Sequence, residues 1–148
     1  MPYGRRLLCI TYGTIALLAL IATWSQNLSY FRTEEGWLSG FVMATGRFWP
    51  ETLATPASVS ITVDLGLFFL AAAIFMVIEA RKHDVKFVWA YLIGGGLIAI
   101  SVTFPLFLIA RERRTCRTDP TRLTATDTAV LVLFAVGIAA LVIWVDVV

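Results

Sequence analysis

Charge is what this 148-residue chain is short of: 15% of its residues are Asp, Glu, Lys or Arg, against 59% hydrophobic. Its mean hydropathy is +0.82. Soluble domains carry about 25% charged and roughly 45–50% apolar residues, so a water-soluble globule is excluded. Histidine occurs once, as His83, with no second ligand at metal-binding spacing, so neither a metal centre nor a cofactor is expected. The two cysteines, Cys9 and Cys116, match no redox or metal pattern. Phosphate loops, nucleophile elbows and HExxH motifs are missing too. The formal charge of +2 comes from basic residues that punctuate apolar runs and form no polar stripe, so a nucleic-acid surface is not expected.

What fills the chain is long apolar runs. Four of them, at residues 7–24, 59–79, 87–110 and 128–148, approach the roughly 20 residues that a helical crossing needs. Backbone groups have no water partner in hydrocarbon, so runs this continuous are expected to be helices. The expected class is an all-α integral membrane protein, one polytopic domain over residues 1–148 with four transmembrane helices. The first run exceeds the about 7–15 residues of a signal-peptide core and lacks an Ala-x-Ala site, so it is read as a retained span. Tyr12, Trp24, Trp89, Tyr91 and Trp144 lie toward segment ends, as an interfacial aromatic belt places them. Residues 37–49 are too short to cross and carry Arg47; they read as an amphipathic helix in the interface, anchored by Trp37, Phe41, Phe48 and Trp49.

Alternating threading leaves the orientation frustrated. Arg5, Arg6, Arg81, Lys82 and Lys86 fall on one side, and Arg32, Arg47, Arg111, Arg113, Arg114, Arg117 and Arg122 on the other. The N-terminal arginines and the short basic turn at 80–86 favour a cytoplasmic N-terminus, while the larger count opposes it. Inversion, dual insertion or a membrane dip by residues 37–49 would each relieve the conflict. The same threading sets Cys9 and Cys116 on opposite faces, which argues against a disulfide.

Asp64 is the polar residue that stands out, an acid inside an otherwise apolar second run. At a bilayer centre it costs about 2.5–3.5 kcal/mol, so such a residue faces protein, water or a partner. A helical hairpin centred on Asp84 pairs Ala73 with Gly95, bringing Ala71–Ala73 against Gly94–Gly96 for close packing. The same register sets Asp64 level with Phe104, beside Ser101, Thr103 and Pro105. Proline lacks an N–H and frees the carbonyl four residues earlier, here that of Ser101. Asp64, Ser101 and Thr103 are therefore expected to converge, with Arg111 about two turns further along as the acid's cationic partner. This cluster reads either as a clasp between helices, the plainer account, or as a working site. The long first connection, with Asn27 and Tyr30, opens on the face of Asp64 and offers binding groups or simply a solvated loop. Glu79 and Arg81, at the other end of the second run, read as interfacial charges.

The segments Asn27-Leu-Ser-Tyr-Phe31, Asp64, Glu79-Ala-Arg81, Trp89-Ala-Tyr91 and Phe104-Pro-Leu-Phe-Leu-Ile-Ala-Arg-Glu112 together resemble a small bacterial membrane family, domain of unknown function 2834. The resemblance covers about residues 5–112, and the Pro-Leu-Phe-Leu-x-x-Arg-Glu ending is its most specific part. It implies a three-helix membrane core with a polar set at Asn27, Asp64, Glu79 and Arg111, and brings no reaction. The fourth run lies outside it.

Three functions are compatible with these features. The favoured expectation is an accessory or assembly subunit of a larger membrane complex in the bacterial inner membrane, with the lipid bilayer and a partner protein or a second copy as its contacts. The alternatives are an enzyme or binder of a lipid or isoprenoid with Asp64 as general acid, and a proton or small-ion conduit.

Overall fold

Helix α1 (Tyr3–Asn27) is followed, after the first connection, by α2 (Pro56–His83). Local chemistry explains where α2 begins and ends. Thr55 and Ser58 form a reciprocal capping box, with Ser58 N–H donating to Thr55 Oγ1 at 3.1 Å and Thr55 N–H to Ser58 Oγ at 3.0 Å. Pro56 occupies the first helical position, where a missing N–H costs nothing. At the far end Asp84 turns left-handed (φ 52°, ψ 41°), and Val85 N–H closes on the Ala80 carbonyl at 2.9 Å. Arg81, Lys82 and His83 in the last turn complement the helix dipole.

After the turn come α3 (Val88–Gly94), a π turn (Gly95–Ala99) and α4 (Ile100–Arg114). The chain closes with α5 (Ala125–Val147), whose start is fixed by a second reciprocal cap between Thr124 and Asp127. The structure, a computed structural model, describes residues 3–28, 46–115 and 124–147, and no strand occurs among them. Four helical segments are long and apolar enough to cross a membrane: Gly4–Asn27, Pro56–Lys82, Val88–Arg114 and Ala125–Trp144. This is the all-helical membrane class expected from the sequence.

The course of the third segment differs from a straight rod. Tyr91 and Phe107 would stand about 24 Å apart along one continuous helix, at 1.5 Å per residue. Their ring centroids are 5.9 Å apart, edge to face. Gly94 and Gly95 likewise lie against Thr103, where an added Cβ would meet its side chain at 3.2 and 3.0 Å. The segment therefore reverses at the π turn, with Ala99 in extended backbone (φ 178°, ψ 141°), and α4 runs back alongside α3. Three successive glycines weaken the helix by about 1 kcal/mol each relative to alanine, and Pro105 deletes one of the first hydrogen bonds of α4. The missing Cβ atoms then admit Thr103 to the hairpin's inner face. The arms of about 10 and 22 Å are each shorter than a hydrocarbon core of about 30 Å.

The reversal makes α4 the centre of the molecule, packed against α1, α2 and α3. It runs parallel to α2, with Phe104 beside Phe75 and Arg114 beside Asp84, and antiparallel to α1, with Arg5 bonded to the Thr115 carbonyl. Phe107 and Met76 are fully buried, with Ala80, Val88, Leu92 and Ile100 around them. Every described side chain of α5, by contrast, is exposed.

Two expectations are corrected by this course. Arg111, Arg113 and Arg114 lie at the same end as Arg5, Arg6, Arg81, Lys82 and Lys86, not across from them; Arg32, Arg117 and Arg122 lie outside the described residues. Asp64 is not level with Phe104, because α4 returns toward the C-terminal end of α2 and Phe104 meets Phe75 instead. The Thr115 carbonyl accepts from Arg5 at the end where α1 begins; Cys116, expected on the face opposite Cys9, lies outside the described residues. Of the expected interfacial segment, residues 37–45 also lie outside them, whereas 46–52 form a helix with Phe48 and Trp49 exposed.

Candidate functional site

The polar groups that do converge are near the basic end, around Glu79. This carboxylate sits one turn inside the end of α2, and its side chain retains 10% exposure. Its Oε2 accepts from Arg111 Nε at 2.5 Å and lies 3.3 Å from His83 Nε2; its Oε1 is 3.7 Å from Lys82 Nζ. Arg111 NH1 donates onward to Glu112 Oε1 at 3.1 Å. Arg111 thus bridges two carboxylates with separate nitrogens, and Lys82, Glu79, Arg111 and Glu112 alternate in sign along one chain. Tyr12 of α1 stands within electrostatic reach of both Arg111 and Glu112.

Each part of this chain is positioned by a different element. Glu79 and His83 share a face of α2 at i, i+4 spacing, and Lys82 follows at i, i+3. Arg111 arrives only because α4 doubles back. One oxygen of Glu79 accepts a hydrogen bond from Arg111, and Lys82 stands near the other. Removing one partner of such a pair costs about 3–5 kcal/mol, because the other charge is left buried. The arrangement ties α2 to α4. No group of three or more potential metal ligands occurs among the described residues.

The other residues singled out from sequence are dispersed. Asp64 is exposed on α2, as is Ser101 on α4, while Thr103 is buried against Gly94 and Gly95. Thr103 Oγ1 faces the Ala99 carbonyl at 3.5 Å. Arg111, expected near Asp64, is held by Glu79 instead, some 15 residues along α2, or about 22 Å. Asn27 is half-buried at the end of α1; Tyr30 lies outside the described residues. Arg81, read as interfacial, is exposed at the basic end.

Asp64 is also shallower than the run around it suggests. It stands about 27 Å along the axis from Lys82, close to a whole hydrocarbon thickness. With the cations of the α2–α3 turn at one boundary, Asp64 sits by the other. Two residues before it, Thr62 Oγ1 donates to Thr52 O at 3.2 Å, which ties this level to the segment bearing Phe48 and Trp49.

A helical hairpin packed between two longer apolar helices, with an interior ion-pair chain at a basic rim, defines a small polytopic helical membrane protein. The chain belongs to the family described as protein of unknown function DUF2834, whose model matches residues 11–113. The match contains Glu79, Arg111 and the whole hairpin up to Arg113, and leaves α5 outside. Neither a curated protein nor a solved structure matches the chain.

Proposed function

We propose that this protein is a non-catalytic subunit, an accessory or assembly factor for a larger integral membrane protein in a bacterial cytoplasmic membrane. The observation that carries the reading is α5, a helix of 23 residues with every described side chain exposed. Ala135, Gly137, Ala139 and Ala140 keep its surface shallow, and nothing lies within 4 Å of a Cβ placed on Gly137. Small residues are what let membrane helices approach one another closely, and here the chain's own core makes no use of them. The polar chain at Glu79 supports the same reading, since its charges neutralise one another. The dispersal of Asp64 from Ser101 and Thr103 removes the assembled acid cluster that motivated an enzyme of lipids or isoprenoids.

Orientation belongs to the same proposal. Eight cations gather at one end, whereas Arg47 is the one described cation at the other. The bias of Lys and Arg toward the cytoplasm supports a cytoplasmic N-terminus and α2–α3 turn. The test is gentle-detergent purification of the tagged full chain beside a variant with Gly137→Leu and Ala140→Leu. A stoichiometric membrane-protein partner that the variant loses supports the reading. A solitary monomer from both preparations overturns it, and a homodimer moves the role of α5 to self-association.

A further inference from the structure

The basic end has a property that its residue count alone does not convey. Its described acids each have a cation beside them: Glu79 has Arg111, His83 and Lys82, Glu112 has Arg111, and the exposed Asp84 has Arg114 at 3.6 Å. Arg6, Arg81, Lys86 and Arg113 are exposed, and no acid among the described residues pairs with any of them. They come from α1, the end of α2, the α2–α3 turn and the end of α4, and the reversal at Ala99 is what brings the last of these to the others.

Their neighbours on the membrane side are apolar and equally exposed. Leu7 and Ile10 follow Arg6 (58% and 62% exposed), Ile78 precedes Arg81 (59%), and Phe87 and Trp89 follow Lys86 (79% and 60%). A cation over exposed aliphatic and aromatic side chains stands at the headgroup level of a bilayer, where arginine and lysine extend toward phosphate and tryptophan sits at the boundary.

We infer that the rim formed by Arg6, Arg81, Lys86 and Arg113 binds anionic phospholipid headgroups and retains them as a lipid annulus on one leaflet. The occupant is a lipid whose phosphate carries net negative charge, held by unpaired cations above while its acyl chains lie against Leu7, Ile10, Ile78 and Trp89. Each cation at such a surface strengthens binding by about fivefold at low salt, and screening removes the gain beyond the Debye length.

The experiment reconstitutes the purified full-length protein in nanodiscs of phosphatidylcholine with a minority of phosphatidylglycerol, then counts the lipids retained after gentle release by native mass spectrometry. The expected result is retained lipid about tenfold enriched in phosphatidylglycerol over the bulk mixture, with the enrichment lost at high salt. Arg81→Gln with Lys86→Gln, both on the exposed turn, should cut the enrichment severalfold while leaving helicity unchanged. Arg47→Gln at the opposite end should leave it intact. Retention that mirrors the bulk composition overturns the inference. So does an Arg47→Gln loss as large as that of the turn variant, or displacement by soluble glycerol phosphate, which would mark a free-phosphate site. If the double variant fails to fold, Arg113→Gln alone carries the same expectation, at about one cation's share.

Discussion

The segments that hold α4 and α5 are both of crossing hydropathy, yet α4 touches every other helix of the core and α5 buries none of its described side chains. The hydropathy of the two segments does not separate them. What does is the presence of features that are costly in a lone lipid-facing helix: Thr103, Pro105 and Arg111 on α4, each with a neighbour that accounts for it. Gly95 makes room for Thr103, Pro105 is buried beside the reversal, and Glu79 neutralises Arg111. From Ala129 to Trp144 helix α5 has no threonine, proline or charged residue. In a bilayer, where apolar surface gains nothing from leaving lipid, exceptions to apolarity mark the interior.

The contrast is broken outright if the third segment crosses straight through. Single cysteines at Arg6, Thr115 and Ala57, in a chain with Cys9→Ala and Cys116→Ala, should divide cleanly under a membrane-impermeant thiol reagent on sealed vesicles. Positions 6 and 115 react from one side and position 57 from the other. Labelling of 115 with 57 would dismiss the reversal.

The next effect in size concerns the ion pair. Arg111→Leu strands the Glu79 carboxylate, and we expect a loss of about 3–5 kcal/mol in unfolding stability, measured by denaturant titration in mixed micelles. Pairing it with Glu79→Leu should restore most of that. A double variant as unstable as the single one would mean that Glu79 is stabilised by other groups. The smallest effect sharpens the comparison of surfaces. Gly95→Val drives a Cβ to 2.8 Å from Phe69 and 3.0 Å from Thr103, for a cost of about 1–3 kcal/mol. Gly137→Val, with open space around it, should change the isolated protein's stability by less than about 0.5 kcal/mol in the same assay. Equal costs would place α5 inside the core.

Much of the fold was legible because hydrophobic length is a strong signal, and the limits of that signal account for the misses. The sequence reading started the second and fourth helices at 59 and 128, whereas they begin at Pro56 and Ala125. Hydropathy rises only after the polar caps, and the caps Thr55-x-x-Ser58 and Thr124-x-x-Asp127 were the better markers. The glycine triplet was expected against Ala71–Ala73; Gly94 and Gly95 lie instead against Thr103, with Gly95 also against Phe69 of α2, and nothing lies within 4 Å of a Cβ on Gly96. Hydropathy carries no direction, however, so the reversal behind the same glycines was invisible to it. Once the chain doubles back, levels counted across a hairpin fail beyond the reversal, which moved Arg111 from Asp64 to Glu79. The resemblance named both partners of that pair without saying that they meet. Asp64 attracted attention as a central acid because α2 was taken as a minimal crossing; its 28 residues are long enough to carry the acid out to the far boundary.

The pairing of Glu79 with Arg111 also sets an order of events in the making of the protein. The two lie 32 positions apart, so α2 enters the membrane with its carboxylate met by Lys82 and His83 of its own last turn and still without the arginine. Until the arginine emerges, the nascent chain lacks the shortest contact on that acid and the tie from α2 to α4. A chain truncated anywhere before residue 111 would lack that tie permanently.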